Sequence, residues 1–129
     1  MICRTALAAL AGLAAAPVLA APITLSCAGT VTRNDTTGTH TDNVFDVSLV
    51  VDLDRKVVGG SALPWSVPIS GQSDAVIFFD EDRRDPSGNT LIGGGVDRVT
   101  GRANIMWLDG HSVSTTISEL HCHRTAPKF

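Results

Sequence analysis

Residues 45–53 read FDVSLVVDL and decide the fold class, because apolar and polar side chains alternate along them with one exception. The apolar set is Phe45, Val47, Leu49, Val51 and Leu53. Successive side chains point to opposite faces of a β-strand, so a period of two predicts a strand with one face in the core. We therefore expect these five residues to face the protein interior.

The same alternation recurs on both sides of this segment. Residues 23–31 place Cys27 on the apolar face, and residues 74–80 form a short apolar run between two aspartates. Both faces of the segment at residues 103–108 are partly apolar, which predicts a strand covered on both sides. Alternation from Val113 changes parity after Ser118, and a β-bulge near 118–119 would return Leu120 and Cys122 to the core.

Turn signals separate these segments at residues 34–38, 59–61, 85–89 and 109–110. Asp109-Gly110 favours a two-residue hairpin turn. Asp97 and Gly101 are assigned a structural turn, since an aspartate can accept backbone N–H groups and glycine tolerates positive φ. No sustained 3.6-residue apolar stripe is present after residue 20. The prediction is an all-β fold, an antiparallel meander of about seven strands forming a small barrel or sandwich.

The first 20 residues have the pattern of a secretory signal peptide. Arg4 supplies a positive charge, an Ala-rich apolar run follows, and Val18-Leu19-Ala20 suits a signal peptidase. The run is too short for a membrane-spanning helix. We therefore predict a signal peptide at 1–20, a single β-domain at 21–129 without a transmembrane segment, and a periplasmic or secreted location.

Cysteine usage is consistent with export. The chain has three cysteines, and Cys3 would leave with the leader, so Cys27 and Cys122 remain as an even pair. An oxidising compartment predicts a disulfide between them, and two reduced core thiols are the alternative.

Composition argues against nucleic acid as a partner. The formal net charge is −3 at pH 7, and aromatic residues make up 5% of the chain with two Trp and no Tyr. A basic surface is therefore not expected, and an aromatic stacking platform would have few residues to build with. Residues 80–85 carry mixed charge but lack calcium-loop spacing, so a solvated hairpin tip is expected there.

No catalytic residue is predicted, because the sequence has no nucleophile motif. His121 and His123 lie two residues apart and would share one face of a strand, where Glu119 could join them. These three are weak candidates for metal ligands, since two histidines alone make an incomplete site. We expect no cofactor and no bound metal.

Two short motifs carry a resemblance. Residues 95–101 read GVDRVTG, and Leu120-x-Cys122 stands near a terminal Phe129. With the leader and Cys27, this pattern resembles small exported proteins of unknown function from soil alphaproteobacteria. The resemblance implies a β fold, the pairing of Cys27 with Cys122 and a periplasmic address, and it implies no activity.

These observations favour a non-catalytic periplasmic β-domain that binds a protein or an envelope component. A small metal-dependent enzyme using His121 and His123 is one alternative. A lipocalin-like carrier of a small ligand is the other.

Overall fold

The segments with alternating side chains form strands of one closed β-sheet. The computed structural model describes residues 21–86 and 88–125. The strands are β1 Ile23–Asp35, β2 Gly38–Asp52, β3 Val57–Gly59, β4 Val67–Gln72, β5 Val76–Asp85, β6 Gly88–Asp97, β7 Arg102–Asp109 and β8 Ser114–Arg124. Each strand pairs antiparallel with the next, and β8 pairs with β1 to complete a barrel. The all-β prediction is confirmed, and eight strands form the barrel rather than a sandwich.

The seam between the first and last strands carries the two cysteines. Cys27 of β1 lies directly opposite Cys122 of β8, and their Sγ atoms are at disulfide distance, 2.04 Å apart. The predicted leader and residues 126–129 lie outside the described residues. The described part of the chain contains no helix with the length and apolar character needed to span a bilayer.

Inward-facing side chains from every strand form a single core inside the barrel. Its fully buried members include Leu49, Val58, Val67 and Phe79. Because one face of each strand is apolar, closure of the sheet removes that face from water without a second layer.

Phe45 was expected in this core and is instead exposed on the outer surface, with 73% of its area accessible. A β-bulge explains the error. Cys27 pairs with Val47 but Gly29 pairs with Val44, so Phe45 and Asp46 together oppose a single residue of β1. Asp46 has φ 56° at this point. The extra residue reverses the alternation, so Val44 and Val47 both pack against the core.

The bulge predicted near 118–119 is absent, and this prediction was wrong. β8 pairs with both neighbours without a shift in register. Its even-numbered residues therefore face inward, which buries Ser114 and Ser118 together with Leu120. The odd-numbered Ile117 faces outward. Regular pairing on both sides leaves no room for an extra residue, so the strand buries hydroxyls at its start instead.

Two further predictions about β7 were wrong. The connection to β8 is a four-residue loop, 110–113, rather than a two-residue turn, and Val113 takes the positive φ, 50°. The outer face of β7 is not covered by any described residue, because Met106 and Leu108 remain 49% and 38% exposed.

The two ends of the barrel are called the Arg98 end and the Trp65 end. The Arg98 end carries the chain reversals 53–56, 73–75 and 98–101, together with the start of β1 and the end of β8. The Trp65 end carries the β1–β2 and β5–β6 hairpins and the loops 60–66 and 110–113.

Three aspartates hold reversals of the chain at these ends. Asp35, Asp97 and Asp109 each accept a hydrogen bond from the backbone N–H of the residue two positions later, at 2.8–2.9 Å. Such bonds favour the ionised carboxylate and lower the pKa of all three groups below the ordinary value of 3.8. The largest contributions come from the Thr37 hydroxyl at Asp35, the Thr100 amide at Asp97 and the His111 amide at Asp109.

This arrangement predicts acid sensitivity. A carboxyl group whose pKa is lower in the folded state than in the unfolded state stabilises the fold at any pH above its unfolded-state pKa. That stabilisation is lost as the pH falls through the folded-state pKa. The urea midpoint should therefore fall as pH is lowered from about 5 to about 2. In the triple variant Asp35→Asn, Asp97→Asn, Asp109→Asn the amide oxygens still accept the bonds but do not titrate, so the decline should be shallower. Superimposable pH profiles would refute this account.

Candidate functional site

A concave site at the Arg98 end opens onto the barrel core, with a volume of about 430 Å³. Its floor is the apolar inner face of the barrel, made by Ile23, Leu25, Val51, Ile77 and Val96. Val51, Ile77 and Val96 are nearly fully buried. The site is therefore a direct opening onto the hydrophobic core.

The turn between β6 and β7 forms one wall of this cavity. The Oδ1 atom of Asp97 accepts N–H groups from Val99 and Thr100 at 2.8 and 3.0 Å. Gly101 has φ 75°, its N–H donates to the Asp97 carbonyl oxygen, and its own carbonyl accepts the Cys122 N–H at 2.7 Å. The turn is thus fastened to β8 at the disulfide, so Asp97, Gly101 and Cys122 meet at one end of the barrel.

Two guanidinium groups belong to the same cavity. Arg98 donates its backbone N–H to the Ala75 carbonyl oxygen at 2.6 Å and its Nη1 to the Ser73 carbonyl oxygen at 3.4 Å. Arg124 follows Cys122 by two residues on β8 and therefore faces the same side of the strand. Both residues line the cavity.

Charge at the rim is dominated by these arginines. Among the described residues, Asp97 is the one carboxylate that lines the cavity, and its Oδ1 is already engaged by two backbone amides. These bonds also lower its pKa, with the Thr100 amide contributing most, so the group is ionised near neutral pH. Two cations against one anion favour a ligand with a negative group near the rim and an apolar body on the floor.

Arg98 and Arg124 were not predicted from the sequence as site residues. Arg98 stood within the motif at residues 95–101, but its role there was read as part of a turn. For Arg124 the available signal was its parity with Cys122, which places it on the inward face if Cys122 is inward. The cavity itself requires the turn, the floor and the end of β8 to meet, which depends on closure of the barrel.

Two of the candidate metal ligands, Glu119 and His121, lie on the outer face of β8 away from this cavity, whereas His123 is among the residues that line it. Glu119, His121 and His123 are all exposed. Within residues 21–86 and 88–125, no three His, Cys, Asp or Glu side chains come together in a group that could hold a metal ion.

A shallow groove of about 390 Å³ on this face is lined in part by Glu119, His121 and Arg102. His121 pairs in register with Arg102 of β7. The Arg102 guanidinium offsets the charge of the Glu119 carboxylate in this groove, so no net negative charge attracts a cation there. The structure therefore does not bring the three predicted ligands into a closed polar site.

Comparison with protein-family models, with curated proteins and with solved structures finds no match for this chain.

Replacement of Gly101 tests the turn that forms the wall. Gly101→Val should lower the free energy of unfolding by about 1–3 kcal/mol, because a β-branched residue is strained at φ 75° and its Cβ would collide with the Cys122 carbonyl oxygen. Gly71→Val is the matched control, since a Cβ at Gly71 meets no atom within 4 Å. Urea unfolding measures both variants. Equal midpoints in the two would contradict the strain argument.

Proposed function

We propose that this protein is a non-catalytic periplasmic β-barrel that binds an envelope component, a small amphiphile with an apolar body and an anionic head group. The observation that carries the proposal is the cavity at the Arg98 end, which combines an apolar floor with Arg98 and Arg124 at its rim. An amphiphile of this kind would satisfy both the leading hypothesis, which is binding of an envelope component, and the alternative of a small-ligand carrier.

The size of the cavity supports a small molecule. Ligand sites in proteins commonly enclose about 300–1,000 Å³, and this one has about 430 Å³. An acyl chain on the floor would remove apolar area from water, worth about 25 cal/mol for each Å² buried. A carboxylate or phosphate at the rim would gain charge-assisted hydrogen bonds from the arginines.

Two other observations support the proposed periplasmic location and the binding site. Cys27 and Cys122 lie at disulfide distance, which is compatible with an oxidising compartment. Residues 96–101 and Cys122, which belong to the two motifs behind the resemblance to small exported proteins, all line the cavity. A binding site is a physical reason for those motifs to occur together.

Isothermal titration calorimetry with decanoate, decyl phosphate and decanol tests the proposal. Both anions should bind more tightly than decanol, by about 10-fold, since one charge-assisted hydrogen bond exceeds about 1.4 kcal/mol. The double variant Arg98→Ala, Arg124→Ala should lose that preference while its affinity for decanol stays unchanged.

Arg84→Ala is the matched control, because Arg84 lies on β5 near the other end of the barrel and is exposed. It should bind all three probes like the wild type. Decanol binding as tightly as decanoate would remove the anionic head group from the proposal. Absence of binding for all three, together with a stoichiometric protein retained through purification from periplasm, would favour a protein partner instead.

The metal-enzyme alternative makes a separate prediction. It requires one equivalent of zinc that survives dialysis of tag-free protein and disappears in His121→Ala, His123→Ala. That result would replace the proposal with a site on the outer face of β8. Under the carrier proposal the single variant His121→Ala, at a residue that does not line the cavity, binds decanoate like the wild type.

A further inference from the structure

The loop at residues 60–66 covers the Trp65 end of the barrel and is fastened to β2. The backbone N–H of Ser48 donates to Ser61 Oγ at 2.8 Å, and the N–H of Ser61 donates to Ser48 Oγ at 3.0 Å. The N–H of Ala62 donates to the Ser48 carbonyl oxygen at 3.0 Å. Leu63 is buried against the core. The loop is therefore a fixed cover over this end.

Trp65 holds the other side of the same loop to β5 and β7. Its Nε1–H donates to Glu81 Oε2 at 2.6 Å, and Arg83 Cζ lies 4.1 Å from its ring centroid. The ring centroids of Trp65 and Trp107 lie 6.4 Å apart at an interplanar angle of 74°. Residues 80–85, expected as a solvated hairpin tip, thus use two of their side chains to hold the cover in place.

Between the cover and the barrel wall lies a cavity of about 230 Å³. Most of the wall is apolar and is formed by Val31, Val44, Val47, Ile92, Ile105 and Leu120. Trp107 adds ring carbon atoms, because its Nε1 is buried away from the cavity. No charged side chain of the described residues lines this cavity, and it shares no lining residue with the cavity at the Arg98 end.

Three hydroxyl groups, those of Ser61, Thr116 and Ser118, interrupt the apolar lining. Ser61 Oγ accepts the Ser48 N–H and so belongs to the fastening of the cover. Thr116 and Ser118 have no side-chain hydrogen bond to any described residue. Ser118 is 8% exposed, and its Oγ keeps accessible surface. Because Ser118 lines the cavity, this surface presents an unpartnered hydroxyl to an otherwise apolar space.

Strand register explains why Ser118 has no partner. It lies opposite Val31 of β1 and Ile105 of β7, and neither side chain can donate or accept a hydrogen bond. Ser114 on the same face of β8 is as deeply buried, at 7%, but its Oγ lies 3.1 Å from Ser112 Oγ and is hydrogen bonded. A buried hydroxyl without a partner is unfavourable. A hydroxyl on a molecule in the cavity would complete the bond.

We infer that this cavity is a second binding site, for a compact, neutral alcohol or phenol whose hydroxyl group bonds the hydroxyl of Ser118. An apolar cavity of about 150 Å³ is large enough to bind benzene, so 230 Å³ accommodates a ring with a short substituent. Thr116, about 7 Å along the strand, offers a second hydroxyl for a second polar group. An anion is disfavoured, because no cationic side chain of the described residues lines the cavity.

Benzyl alcohol and ethylbenzene are matched probes, since they have similar shape and differ by a hydroxyl in place of a methyl group. Titration followed by the amide resonances of residues 116 and 118 in a ¹H–¹⁵N correlation spectrum measures both affinities at this site. Wild-type protein should bind both probes. Ser118→Ala should weaken benzyl alcohol by about 5-fold, the loss expected for one neutral hydrogen bond, and should leave ethylbenzene unchanged.

Ser114→Ala is the matched control, because Ser114 lies on the same face of β8 but does not line the cavity. It should bind both probes like the wild type. Filling the cavity with Ala62→Leu should weaken both probes alike. Arg98→Ala, Arg124→Ala should affect neither probe, so this inference and the proposal for the Arg98 end fail or succeed separately.

Urea unfolding of the two serine variants checks that the Ser118 hydroxyl has no structural partner. Ser118→Ala should leave the urea midpoint unchanged or raise it, whereas Ser114→Ala should lower it by removing the bond to Ser112. The inference is overturned if wild-type protein binds neither probe, or if Ser118→Ala weakens both probes equally or leaves benzyl alcohol unaffected. A midpoint lowered as much in Ser118→Ala as in Ser114→Ala would also overturn it, because the hydroxyl would then be bonded within the protein.

Discussion

Opening the Cys27–Cys122 bridge should lower the free energy of unfolding by about 2–5 kcal/mol. The two residues are direct partners on β1 and β8, with Cα atoms 4.1 Å apart, and they are separated by 95 positions in the chain. A cross-link over so long a loop restricts the unfolded chain, and here it also holds the seam at which the barrel closes. A small domain depends strongly on such a link.

Urea unfolding of oxidised wild-type protein and of Cys27→Ala, Cys122→Ala measures this effect. Reduced wild-type protein is the control, because it opens the bridge without removing either side chain. Both opened forms should unfold at lower urea and with a larger dependence on denaturant, since their unfolded chains expose more surface. Two reactive thiols in denatured, unreduced protein would show that the bridge does not form.

Phe79→Ala should lower the free energy of unfolding by about 3–5 kcal/mol, the usual result of emptying a buried aromatic site. Phe79 is 1% exposed. Its ring fills the space above Gly94, where an added Cβ would lie 2.7 Å from the ring atom Cζ. Neighbouring strands cannot move into the space that the ring leaves, because their backbone pairing is closed around the barrel.

Phe78 provides a matched control at the preceding position. It is 54% exposed on the outer face of β5, so Phe78→Ala should cost less than about 1 kcal/mol. Urea unfolding of the two variants under one set of conditions compares them directly. A larger loss for Phe78 than for Phe79 would mean that β5 presents the opposite face to the core.

Strand identity could be read from the chain because alternation is a local property. Side chains of one strand point to opposite faces by covalent geometry, so the pattern at 45–53 predicted a strand without reference to any partner. The fold class followed from several such segments and the turns between them. The cysteine pair was predicted by counting, since cleavage of the predicted leader would remove Cys3 and leave Cys27 and Cys122.

Side-chain direction was predicted less well wherever a neighbouring strand decides it. At Phe45 the pairing of β2 with β1 inserts an extra residue and turns the ring outward. At Ser118 the regular pairing of β8 with two neighbours keeps the strand straight and buries a hydroxyl. Register is a relation between two strands, so one strand's sequence does not contain it.

The sequence by itself predicted strands around residues 23–31, 45–53, 74–80 and 103–108, reversals of the chain at Asp- and Gly-rich turns, and Cys27 and Cys122 as the pair for a bridge. Tertiary structure alone decided that the sheet closes into a barrel and which residues meet at its two ends. Arg98 and Arg124 line one cavity, and the ring of Trp65 in the loop 60–66 packs against that of Trp107 in β7. The physical reason is that alternation depends on residues adjacent in the chain, whereas contacts between distant residues at the ends of the barrel depend on the register of eight paired strands.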